Sequence, residues 1–109
     1  MAAWTIRLAH QADQDIADIL TWTKKHFSFQ QADVYAETII LALETLTEGP
    51  DVIGAKSRED ILPGMRVLHV ARQGRRGRHF IVFRSKEEHC IDVLRILHDS
   101  MDLARHVEQ

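Results

Sequence analysis

An α+β fold is what this sequence predicts: elements in the order β-α-α-β-β-β, with a helix hairpin packed on a mostly antiparallel sheet. Three observations lead there. Apolar residues alternate at period two near the N-terminus, then recur every three or four residues along two successive stretches joined by a short connector. Three apolar runs separated by turn residues fill the second half of the chain.

The first strand rests on Trp4, Ile6 and Leu8 alternating with Thr5 and Arg7. The first helix follows from Ala9, Ala12, Ile16, Ile19, Leu20 and Thr23, which share one helical face. Asp13, Asp15 and Asp18 are expected mostly off that stripe. They lie early in the helix while Lys24 and Lys25 lie late, an order that suits the helix dipole. Ser28 is a good N-cap for the second helix, and Gln31 completes a capping box. Its stripe is Ala32, Tyr35, Ala36, Ile39, Leu43 and Leu46, and Gly49-Pro50 stops it. A connector as short as 26–28 makes the two helices antiparallel neighbours.

Residues 51–64 are polar and end in Pro63-Gly64, so a loop is expected. Strands are expected over 65–71, 78–85 and 89–97, joined by a Gly-containing hairpin at 73–77 and a tighter turn at 85–88. Ile91, Val93, Leu94, Ile96 and Leu97 make the last strand apolar on both faces, as a covered central strand would be. A short helical turn over 101–107 closes the chain.

Length and composition bound the function. The 109 residues make one domain, 1–109, able to bury roughly two-thirds of the surface its unfolded chain exposes. With 45% hydrophobic and 28% charged residues the composition is globular, and a net charge of -2 gives no global case for nucleic acid. A single cysteine, Cys90, excludes an intrachain disulfide and suits a reducing compartment. Residues 1–8 are too short and polar for a signal peptide, and no stretch approaches the roughly 18 apolar residues of a membrane span. A cytoplasmic protein with no membrane contact and no cofactor is the expectation.

Against that acidic background, Arg72, Arg75, Arg76 and Arg78 crowd one hairpin, flanked by Arg66 and Arg84. Arginine forks hold phosphates or carboxylates bidentately, so the hairpin suits RNA, DNA or an acidic protein tail; the alternative is a solvated turn. The seven histidines show no pair at metal-ligand spacing, and Cys90 has no partner cysteine, so no metal is expected. His98 ends the last strand, where an imidazole can act as a general acid or base or can simply order the C-terminal turn. Trp4 and Trp22 read as helix–sheet packing.

The segment Val93-Leu94-Arg95-Ile96-Leu97-His98-Asp99-Ser100-Met101-Asp102-Leu103 resembles the closing strand of the ParE branch of the RelE/ParE toxin superfamily. Supporting segments are Ala12-Asp13-Gln14-Asp15-Ile16 with Ile19, Pro63-Gly64-Met65-Arg66, and His79-Phe80-Ile81-Val82-Phe83-Arg84. The resemblance covers nearly the whole chain. It implies the toxin of a type II toxin–antitoxin system of the plasmid-stabilisation kind, acting on DNA gyrase by stabilising cleaved DNA complexes. It also implies neutralisation by a ParD-like antitoxin whose disordered tail folds over the hairpin's apolar rim and the sheet edge, with arginines meeting its carboxylates. Arg66, Arg84, Arg95, His98 and Asp102 are the first candidates for target contact and toxicity, and the Arg72, Arg75, Arg76 and Arg78 hairpin the second. Arg95 has a structural alternative, pairing with Asp92 or a helix acid.

RelE-type relatives cleave mRNA on the ribosome with basic residues and a C-terminal acid/base group. This chain departs from that pattern: Phe80 stands in the middle strand where an arginine would be, and no tyrosine follows the last strand. Asp99 and Asp102 would also repel a phosphate backbone beside His98, so no catalytic residue is expected. A ribosome-dependent endonuclease and an inactive antitoxin-binding relative are the alternatives.

Overall fold

The computed structural model describes residues 3–107; Met1, Ala2, Glu108 and Gln109, the ends of the expected domain, lie outside the described residues. Its elements are β1 (Thr5–Leu8), α1 (His10–His26), α2 (Phe29–Thr45), β2 (Lys56–Ser57), β3 (Met65–His69), β4 (His79–Lys86), β5 (Cys90–His98) and α3 (Leu103–His106). The strands form one sheet in the order β1-β5-β4-β3-β2. β1 runs parallel to β5, and every other pairing is antiparallel. The expected α+β architecture therefore holds, with one addition: the expected loop 51–64 contributes the two-residue edge strand β2, paired to β3.

The helix hairpin forms as its stripes require. Ser28 caps α2, its Oγ accepting from the Gln31 amide at 3.0 Å. α2 ends in a 3₁₀ turn at Leu46–Glu48 before Gly49, whose φ of 120° suits glycine. Alanines at 12 and 42 lie buried with Ile39 and Leu46, and small side chains there let both helices approach the sheet closely. Opposite them stand Leu68, Val70, Ile81, Phe83, Ile91, Val93 and Ile96.

The other sheet face is also covered. Ile61 and Leu62 from the 51–64 connector, with Leu103 and Val107, pack on Met65, Val67, Val82 and Leu97. This second small core is the physical reason β5 is apolar on both faces. The helix-facing residues switch from odd (Ile91, Val93) to even (Ile96), which strict alternation forbids. A bulge accommodates the switch: Val82 pairs with Arg95 and Phe83 with Val93, so Leu94 is the extra residue.

Candidate functional site

β1 ends at Leu8, where it faces Val93, while β5 continues to His98. Beyond Val93 this edge of β5 has no strand partner, and Asp15 of α1 takes its place. Asp15 Oδ2 accepts from the Ile96 amide at 2.9 Å and from Arg95 Nε at 2.8 Å, and Oδ1 accepts from the Arg95 terminal nitrogen at 2.9 Å. The other Arg95 terminal nitrogen donates to the His106 carbonyl at 3.0 Å. One guanidinium thus ties α1, β5 and α3 together, so Arg95 takes the structural role. Asp15 sits on the inner side of α1, a correction to its expected place off the stripe, and Asp92 pairs instead with Lys86 at 2.8 Å.

The other candidates scatter. Arg66 donates to the Pro50 carbonyl at 2.9 Å and lies 3.3 Å from Asp51, fastening the connector. Asp102 caps α3 by accepting from the Ala104 amide. Arg84 is half-buried, its stem running over Gly64, and its guanidinium makes no hydrogen bond or ion pair to another described residue. Because Arg66 pairs with Phe83 and Arg84 with Met65, the two arginines leave the sheet on opposite faces.

The arginine hairpin is not one solvated patch. Arg75 reaches α2, where its Nε donates to Thr38 Oγ1 at 2.9 Å and a terminal nitrogen donates to the Val34 carbonyl at 3.1 Å. Arg72 donates to the Ile53 carbonyl at 2.6 Å. Arg78 and Arg76 point outward, and Arg78 lies 3.3 Å from both Asp99 oxygens.

His98 joins a cluster that sequence spacing did not show. The start of β4 brings His79 against His98, ring centroids 5.2 Å apart and nearly perpendicular. Tyr35 arrives from α2, its hydroxyl 2.6 Å from His79 Nδ1. That hydroxyl also accepts the Arg78 amide at 3.0 Å. His69 Nδ1 accepts from the Ala71 amide, leaving its Nε2 to donate to Asp99 at 3.0 Å. His98 Nδ1 accepts from the Ser100 amide and lies 2.7 Å from the Ser100 hydroxyl. A tyrosine is therefore present at this corner, although none follows the last strand. The one sequence signal was that Tyr35 belongs to the inner stripe of α2.

Burial, with His98 beside it, lowers the His79 pKa from 6.5 to about 4, against a smaller opposing pull from Asp99. Asp99 is held below the usual carboxylate range by the His69 hydrogen bond first and by Arg78 as well. The unfolded imidazole takes up a proton as pH falls through about 6.5, whereas the folded one waits until about 4. Within that window the unfolded state binds more protons, so stability falls as pH drops. Melting curves from pH 7 to 4 should therefore converge on those of His79→Gln as pH falls; a constant separation would exclude a buried neutral His79 as the cause.

Among the described residues no three His, Cys, Asp or Glu side chains come together as a metal site, and no helix is long and apolar enough to cross a membrane. Trp4 packs partly buried on the helix-side core, as expected. Trp22 does not: it is 54% exposed at the hairpin tip.

A family model described as "ParE toxin of type II toxin-antitoxin system, parDE" matches residues 6–103. The chain is 26% identical over 101 residues to Toxin ParE1 of Caulobacter vibrioides, covering 93% of this chain and 95% of that protein. It is 27% identical over 100 residues to Toxin ParE1 of Mycobacterium tuberculosis, covering 92% and 94%. Among solved structures, the fold is similar to a chain of the chromosomal ParDE toxin–antitoxin system from P. aeruginosa, with a TM-score of 0.72, 20% identity, and coverage of 88% and 96%. It is also similar to a chain of the RelBE2 toxin–antitoxin complex from M. tuberculosis, with a TM-score of 0.57, 21% identity, and coverage of 88% and 98%.

Proposed function

This chain belongs to the ParE toxin family of type II toxin–antitoxin systems, and from that premise we propose that it acts without catalysis, by binding DNA gyrase and blocking its cycle in the cytoplasm. A ParD-like antitoxin would neutralise it. The observation that carries the non-catalytic part is the Asp15–Arg95 pair, which withdraws the closing-strand arginine from solvent and from any phosphate. Cleavage of RNA through its own 2′-hydroxyl needs cations converging on one phosphate. Arg66 and Arg84 leave opposite faces, and Arg95 is occupied.

An antitoxin tail that orders on binding has a matching surface. Val34, Ile40 and Leu41 of α2 are exposed, and exposed apolar side chains on one helix suit a folding-coupled partner. Both structural neighbours named above come from toxin–antitoxin systems, which supports an antitoxin partner here.

The test is a supercoiling and DNA-cleavage assay with purified protein and gyrase, with and without antitoxin. Inhibition or trapped cleavage that antitoxin reverses would support the proposal. Arg84→Ala is expected to cost at most about 1 kcal/mol, from the lost packing of its stem over Gly64, while weakening growth inhibition. One observation favours the ribonuclease reading: the Tyr35, His79 and His98 corner gathers acid/base groups. If gyrase is unaffected, ribosome-bound mRNA cleavage that Tyr35→Phe abolishes would support that reading instead.

A further inference from the structure

The chain has seven aromatic residues, counting four Phe, two Trp and one Tyr. Three of them crowd the α1–α2 tip: Trp22, Phe27 and Phe29 are 54%, 67% and 74% exposed. They are organised rather than scattered. His26 stacks on Trp22 at 4.3 Å and 20°, Phe27 meets Trp22 edge-on at 5.7 Å, and Lys24 lies 5.8 Å over the Phe29 ring. Residues 21–32 carry Lys24 and Lys25 and no acid, in a chain whose net charge is -2. Neither core uses these three rings. Large exposed aromatics cost solubility, and clustered ones mark contact sites.

Resting on the toxin reading above, we propose that this tip is the anchor that docks the toxin on its cellular target, a folded protein presenting an apolar pocket rimmed by carboxylates. Three features point to that occupant. The tip is a convex knob at a hairpin end, and a knob needs a preformed pocket, which a folded partner has and a tail that orders on binding does not. One face of Trp22 is covered by His26 and one face of Phe29 by Lys24, so the rings do not form an open stacking platform for bases. The uncompensated lysines match carboxylates around the pocket. The antitoxin, by contrast, is assigned to the outward side of α2, where Val34 and Leu41 line up two turns apart and Ile40 lies across the exposed Asp33, Glu37 and Glu44 from them, a helix flank rather than a knob.

The experiment compares wild type, Phe27→Ser/Phe29→Ser and Lys24→Gln/Lys25→Gln. It reads growth arrest on induction, thermal melting, and co-elution with the cognate antitoxin. Both variants should melt like wild type and keep antitoxin binding. Each should need at least about tenfold more protein to arrest growth, the scale of losing one interface hot spot. Unchanged toxicity, or lost antitoxin binding, overturns the proposal. So does wild-type binding to phosphatidylglycerol vesicles or to a single-stranded oligodeoxynucleotide that the variants lose, because the occupant is then a membrane or a nucleic acid. If the variants lose toxicity while the wild type leaves gyrase unaffected, the gyrase reading fails and the tip assignment stands. A wild type that does not arrest growth overturns both.

Discussion

Asp15→Ala should lower stability by about 3 kcal/mol or more, because it leaves the Arg95 guanidinium without its counter-charge in a mostly buried site. The carboxylate accepts three hydrogen bonds, two from Arg95 and one from the Ile96 amide, and its side chain is 14% exposed. The loss reaches beyond the ion pair. Arg95 also holds the His106 carbonyl, so releasing it loosens α3 and the Leu103 and Val107 cover of the second core. For a domain of this size such a loss corresponds to a fall in Tm of more than about 10 °C. Arg95→Ala should cost a similar amount, since it strands the carboxylate instead. An apolar pair, Asp15→Leu with Arg95→Met, should recover part of the loss by removing both charges together. Urea unfolding of the two single variants and the double variant measures this; single variants within about 0.5 kcal/mol of wild type would show that the pair is not structural. The same comparison separates the arginines functionally. Arg95→Ala should lose toxicity along with folded protein, whereas Arg84→Ala should lose toxicity alone.

Gly77→Ala is expected to be the second most damaging change. A Cβ at Gly77 would lie 2.4 Å from Val70 Cγ2 and 3.3 Å from both the Tyr35 hydroxyl oxygen and its ring carbon Cε1. Val70 is 1% exposed and branched at Cβ, so its χ1 is restricted and any retreat must displace packed neighbours. Forcing one carbon into such a packed site costs roughly 1–3 kcal/mol. The strain should also push Tyr35 from His79, whose hydroxyl–imidazole contact is 2.6 Å. A drop in Tm together with a change in tyrosine fluorescence would report both effects. Gly74→Ala is the control, because a Cβ at Gly74 meets nothing within 4 Å and only its φ of 81° opposes substitution.

Element type and order were legible in the sequence because each depends on residues close together in the chain. The alternation at Trp4, Ile6 and Leu8 gave β1, the cap at Ser28 placed the start of α2, and Gly49-Pro50 marked its end. The two-faced apolar pattern of β5 indicated a central strand, since covering both faces leaves no polar side to alternate with. The sharpest missed signal was local too: the step from Ile91 and Val93 to Ile96 announces the bulge at Leu94.

The candidate site was much less legible. Which of the arginines are spent inside the fold depends on partners 80 positions away for Arg95 and 37 for Arg75. The same holds for Tyr35, 44 positions from His79, and for the exposure of Trp22, which as a large aromatic was expected in helix–sheet packing. By itself the sequence determined the α+β class, the helix hairpin and the strands β3 to β5, because capping, turn chemistry and periodicity act within a few residues. Only the tertiary structure decided that Asp15 continues the sheet edge where β1 stops, and that three aromatics are left bare at the hairpin tip. Those outcomes depend on where strands end relative to one another, a quantity that no window of sequence contains.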